Sequence, residues 1–299
     1  MTHGPLDHDP YVTLDPRFAG FTVPGGRVER LWTGGTWTEG PAWFPGYLIW
    51  SDIPSNRMLR YDAATGAVTV FRHPSGGANG NTRDRYGRLV TCEGSTRRVT
   101  RTDTTGAITV LAEAVAGRRF NSPNDVVEKS DGTIWFTDPS YGGPDYDGAR
   151  EMDACHVWRL DPATGEIARM THDMVMPNGL AFSPDERLLY IVDTGSTEGP
   201  DHPNHIRRFG VAPDGLAGGE EFAVSEAKSF DGLRIDRDGN LWCGEADGVH
   251  VFAPDGTRIG RIVLPERAAN LTFGDGGWLY MTATTSLYRV PVRARAAPN

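Results

Sequence analysis

Residues 122–138 read SPNDVVEKSDGTIWFTD, a stretch that begins as a turn and ends as a buried strand. Ser-Pro-Asn-Asp and Asp131-Gly132 are turn chemistry, and the run TIWFTD is β-branched and aromatic. A lone asparagine at the mouth of a strand is ordinary, because Asn and Asp cap turns everywhere. Here Asn124 lies ten residues ahead of Ile134, and the same spacing returns along the chain.

The strand-like runs are YLIWSD (47–52), RLVTCE (88–93), TIWFTD (133–138), LLYIVD (188–193), NLWCGE (240–245) and WLYMTA (278–283). Each is followed by hairpin chemistry, as in MLRYDAATGAVTVF (58–71) and VHVFAPDGTRIGRI (249–262). No segment carries a sustained helical period. Six copies of a four-stranded unit, roughly 40–55 residues apart, predict an all-β, six-bladed β-propeller with antiparallel blades. The last copy lacks its fourth strand, and Arg27–Trp32 reads as a spare one. Residues 27–33 are therefore expected to close blade six as its outer strand, with 1–26 an N-terminal extension of a single domain spanning 1–299. Closure would remove an open edge.

Composition narrows the function. A net charge of −9 offers nothing basic to meet phosphates, so a nucleic-acid partner is not expected. Cys92, Cys155 and Cys243 are odd in number and widely spaced, which reads as reduced thiols. No apolar run approaches the roughly 20 residues of a membrane span. The start MTHGPLDHDP lacks the basic and apolar regions of a secretory signal. A cytoplasmic protein, monomeric or weakly self-associating, is expected. No H-E-x-x-H, G-x-S-x-G or phosphate-binding glycine loop is present.

Aligned on their first strands, the units carry Glu39, Asn79, Asn124, Asn178, Asp231 and Asn270 at one position. The first five stand ten residues ahead of Ile49, Leu89, Ile134, Leu188 and Leu241; the sixth is one residue short. Innermost propeller strands line the axis, so these side chains should converge at one face. Two carboxylates and several amide oxygens form a donor set for a hard divalent cation, and without one the carboxylates would repel.

Through SDIPSNRMLRYD (51–62), ANGNTRDRYGRLVTCE (78–93), NSPNDVVEKSDGTIWFTDPSYG (121–142), PNGLAFSPDERLLYIVDTG (177–195) and TATTSLY (282–288), the chain resembles the gluconolactonase and regucalcin (SMP-30-like) family, bacterial gluconolactonase branch. The resemblance implies metal ligands at Glu39, Asn124, Asn178 and Asp231. It leaves Asn79 substrate-facing or structural, and Asn270 structural. It implies hydrolysis of a sugar lactone to the aldonic acid, with Asp231 as general base and Glu39 as charge-neutralising ligand; the residues alone would allow the exchange. Asp125 would support the site from behind. Ca²⁺ is the first expectation, with Zn²⁺, Mg²⁺ or Mn²⁺ as alternatives. The family's usual Cys-Glu-His is here Cys92-Glu93-Gly94, which bears on substrate identity.

Strand order places the loops between second and third strands over the site. Residues 139–148 and 193–202 are the long ones, both polar. Candidate substrate contacts are Asn79, Glu93, Asn121, Asp138, Tyr141 and His205. The alternatives are hydrolysis of another electrophile, such as an organophosphate ester, at the same metal site, or a non-catalytic ligand-binding propeller.

Overall fold

Six antiparallel sheets form a six-bladed β-propeller in the computed structural model. The structure describes residues 4–144, 146, 148, 150–171, 173–212 and 215–297. Blade one comprises Thr38–Phe44, Tyr47–Asp52, Arg57–Asp62 and Val68–Arg72, numbered outward from the axis. Blades two to five begin on Ala78–Arg83, Val126–Glu128, Pro177–Phe182 and Leu233–Ile235.

Blade six begins on Ala268–Gly274 and is completed from the other end of the chain. Glu29–Thr33 pairs antiparallel with Ser286–Pro291, setting Thr33 opposite Ser286 and Trp32 opposite Leu287. Gly4–Pro5 adds to the outside of Glu29–Thr33, and Tyr11–Thr13 to the outside of Arg258–Val263 in blade five. The first residues thus cover two sheet edges whose backbone groups would otherwise be unpaired.

The second strand of each blade is buried along almost its whole length because neighbouring blades cover both of its faces. Leu89–Glu93, Ile134–Asp138 and Leu241–Glu245 are buried at every residue. Trp50, Trp135 and Trp242 on these strands are 0–2% exposed. Trp135 packs on Phe182 of blade four, Trp242 on Phe273 of blade six, and Trp43 stacks on Tyr280 at 4.9 Å. Each large apolar side chain buried in this way contributes about 1.5–3 kcal/mol.

The turn at Asp236–Gly239 is fixed by the carboxylate that opens it. Asp236 accepts from the amides of Asp238 and Asn240 and from Trp242 Nε1. The three cysteines are unpaired and buried, and burial pushes their thiols up. Among the described residues no helix is long and apolar enough to cross a membrane.

Candidate active site

The inner strands are irregular where the candidate residues stand. Their pairing with the second strands slips between Glu39 and Ala42, Ala78 and Asn81, Pro177 and Leu180, and Ala268 and Asn270. Such bulges re-aim side chains, here toward the axis. A glycine follows the polar residue in four blades, and each lets the next blade come close. A Cβ on Gly40, which has φ +51°, would lie 2.2 Å from the Asn79 carbonyl oxygen; one on Gly179 would lie 2.5 Å from that of Asp231. Gly80 N donates to Asn124 O at 2.7 Å and Gly232 N to Ala269 O at 2.7 Å, so the blades are stitched together at the axis.

Glu39, Asn124, Asn178 and Asp231 meet in the wall of a 340 Å³ cavity. All four are nearly buried, at 4–6% exposure. Glu39 Oε2 accepts from Gly40 N at 2.9 Å and from Asn270 Nδ2 at 3.2 Å. Burial, then the nearby Asp231 charge, pushes the Glu39 carboxyl well above the usual range. Burial also raises Asp231 to about 7, opposed by the Arg267 charge and the Asn178 amide. These two acids strain against their own ionisation, and two amide side chains share their cavity. Among the described residues no group of three or more His, Cys, Asp or Glu side chains is poised to hold a metal. The four side chains offer carboxylate and amide oxygens, a set that would suit Ca²⁺, Mg²⁺ or Mn²⁺ better than the nitrogen- and sulfur-seeking Zn²⁺.

Asp125 lies beside this set without lining the cavity. Its Oδ1 accepts from Val126 N, and its Oδ2 is 3.5 Å from Arg234 Nη1. Arg234 belongs to a separate 490 Å³ cavity that shares none of the four candidate ligands and also takes in Arg83, Glu128 and Arg295.

The substrate candidates divide. Asn79 and Tyr141 line the cavity. Tyr141 is 37% exposed, and burial of its hydroxyl, with Asp231 second, drives it up to about 12. The other four stand outside the cavity wall. Glu93 is enclosed by Arg72, Arg98, Thr96 and Thr100. Asp138 accepts from the amides of Asn121 and Ser122 and from Trp158 Nε1, and burial holds it at about 7. The Asn121 amide donates to Asp138 O and Ala154 O. His205 faces Glu221 on the outer hairpin of blade four at 2.9 Å. The sequence suggests these four as substrate contacts because it does not show the partners they take up within the fold.

The loop after Asp138 packs down on Gly94. A Cβ there would lie 2.8 Å from Ser122 Oγ and 2.9 Å from Gly142 O, and Ser122 Oγ donates to Gly142 O at 3.1 Å. Glycine at 94 thus lets this loop bring Tyr141 over the site. Asp145 and Asp147 of the same loop lie outside the described residues. From the blade-four loop, Thr194 and Thr197 reach the cavity.

Trp37, Ile53, Pro54 and Arg267 also line it and had not been singled out. Ile53 and Pro54 lie between the second and third strands of blade one. Trp37 and Arg267 lie on the connections from the outer strand of one blade to the inner strand of the next. Those connections cross the same face as the loops between second and third strands, and that topological signal was available.

Residues 37–285 match the family described as SMP-30/Gluconolactonase/LRE-like region. The chain is 31% identical to a gluconolactonase of Zymomonas mobilis, over 85% of this chain and 78% of that one. It is 30% identical to a pentonolactonase of Haloferax volcanii, over 82% and 80% of the two chains. A solved gluconolactonase of Xanthomonas campestris superposes with a TM-score of 0.90 at 35% identity, covering 98% of each chain.

Proposed function

The chain belongs to the SMP-30/gluconolactonase/LRE-like family and is a lactone hydrolase, and from that premise we propose that its axial site holds one divalent cation and opens a sugar lactone to the aldonic acid. The observation that carries this reading is the burial of Glu39 and Asp231 together, each raised in pKa, in one cavity with Asn124 and Asn178. Glu39, Asn124, Asn178 and Asp231 would hold the ion, Ca²⁺ for preference. When bound, it would supply positive charge that polarises the lactone carbonyl, worth several kcal/mol at the transition state.

The chain's own residues supply the rest. Asp231 would act as the general base, a carboxylate that takes a proton and gives it back. It takes one from the attacking water and returns it to the ring oxygen as the ring C–O bond breaks. Glu39 stays a neutralising ligand, held by Gly40 N and the Asn270 amide. Asn79, Tyr141, Thr194 and Thr197 offer donors and acceptors for the sugar hydroxyls. Trp37, Ile53 and Pro54 form an apolar wall for the face of the ring.

The relatives named gluconolactonase and pentonolactonase support a sugar lactone as the substrate class. Asp231→Asn keeps the shape and an oxygen ligand while removing the base. It is expected to fold, retain the cation and lose turnover of a panel of aldonolactones. Full activity in that variant would remove Asp231 from the role.

A further inference from the structure

Arg267 is the one cationic side chain in the wall of the axial cavity among the described residues. It stands immediately before the inner strand of blade six, Ala268–Gly274. Its guanidinium lies 5.4 Å from the Trp37 ring centroid, and its Nη2 donates to Ser229 O at 3.2 Å. Nη2 is also 3.8 Å from Asp231 Oδ2. Its Nε–H is buried with no hydrogen-bond partner. Trp37 and Ser229 thus fix the position of a guanidinium whose hydrogen-bonding capacity is only partly used, beside the proposed base.

Lactone opening creates charge where none was. The water oxygen bonds to the carbonyl carbon, giving a tetrahedral oxyanion. The ring C–O bond then breaks, and one water proton passes through Asp231 to the leaving ring oxygen. The new acid releases its remaining proton to solvent and leaves an aldonate. The substrate is neutral and the product is an anion. A fixed cation beside the reacting carbon gains energy as the reaction proceeds and little from the bound substrate, which is how binding becomes rate. The planar guanidinium also matches a carboxylate fork.

We propose that Arg267 is a catalytic residue that receives the negative charge formed on ring opening, the oxyanion first and the product carboxylate after. This rests on the lactonase reading of the site. It makes the aldonate product a ligand of Arg267 and a competitive inhibitor of the enzyme.

The test uses the full chain loaded with Ca²⁺, D-glucono-1,5-lactone as substrate and D-gluconate as the anionic probe, the latter titrated by calorimetry. Arg267→Gln is expected to lower kcat roughly a hundredfold, as loss of one preorganised oxyanion donor does. KM for the neutral lactone should change by less than about threefold, while gluconate affinity falls at least about tenfold, because a charge-assisted contact is lost only with the anion. Arg267→Lys, which keeps the charge but not the fork, should recover part of both losses. A thermal melt of each variant shows whether it is folded. Unchanged gluconate affinity in a folded Arg267→Gln variant, or a raised KM at unchanged kcat, would overturn the assignment. Absence of lactone turnover by the wild-type protein is a different result: it would sink the lactonase reading itself, and this proposal with it.

Discussion

The Asn270 side chain donates a hydrogen bond to Glu39 Oε2 at 3.2 Å, tying blade six to blade one at the axis. The same amide keeps its Oδ1 on Leu271 N at 2.8 Å. Asn270 therefore orients a proposed metal ligand. Groups that orient ligands typically tune metal affinity by 10–100-fold. Asn270→Leu is expected to weaken Ca²⁺ binding by roughly that factor, measured by calorimetry, while the far-ultraviolet spectrum stays that of the wild type. Unaltered affinity would make the contact purely structural.

The blade-to-blade approach at Gly40 gives a stability prediction. A Cβ at this position would meet Asn79 O at 2.2 Å, and the residue has φ +51°. Both the overlap and the left-handed conformation oppose a side chain. Gly40→Ala is expected to cost about 2–4 kcal/mol through overpacking and backbone strain, read as a lowered midpoint in urea. A loss below about 1 kcal/mol would mean that the blades can part at the axis without penalty.

Gly94 permits the seating of the loop that carries Tyr141. Gly94→His places a side chain where Ser122 Oγ and Gly142 O stand. Ser122 can turn away, but Gly142 O is backbone, so the loop must move. The expected outcome is a KM for the lactone raised roughly tenfold, about 1.4 kcal/mol of lost binding, with a smaller change in kcat. Steady-state kinetics on the two proteins decide it, and an unchanged KM would separate this loop from substrate binding.

How much of this was legible in the sequence depended on what repeats. The spacing from Asn124 to Ile134 recurs because every blade needs the same inner strand and turn, so fold and axial residues could be read together. The glycine after Glu39, Asn79, Asn178 and Asp231 was equally visible, though its meaning, contact with the next blade's backbone, needed the structure. Trp37 and Arg267 were missed because the connections between blades vary in length and repeat no motif. Glu93 and His205 looked available because their partners, Arg72 with Arg98 and Glu221, come from hairpin strands whose register no local pattern reports.

The raised carboxyls imply a pH dependence of stability in the cation-free protein. Asp231 keeps its proton up to about 7, against the ordinary 3.8. Across that interval the native state binds more protons than the unfolded chain. The Asp231 contribution to stability therefore falls as pH rises from about 4 to about 7. Asp138, also held at about 7, slopes the same way. Asp231→Asn should flatten part of the decline in thermal midpoint and leave the rest. Protons and cation compete for the same carboxylates, so the stabilisation conferred by Ca²⁺ should grow over the same interval. A calcium effect that shrinks as pH rises would contradict the shared site.

The proposed cation, held by Glu39, Asn124, Asn178 and Asp231, is required for opening a sugar lactone. Proton release from D-glucono-1,5-lactone, corrected for spontaneous hydrolysis, tests it most directly on three samples: the purified protein, the same protein after chelation, and the chelated protein resupplied with Ca²⁺. Activity is expected in the first, its loss in the second and its return in the third. Undiminished hydrolysis by chelated protein shown by elemental analysis to carry no divalent ion would contradict it.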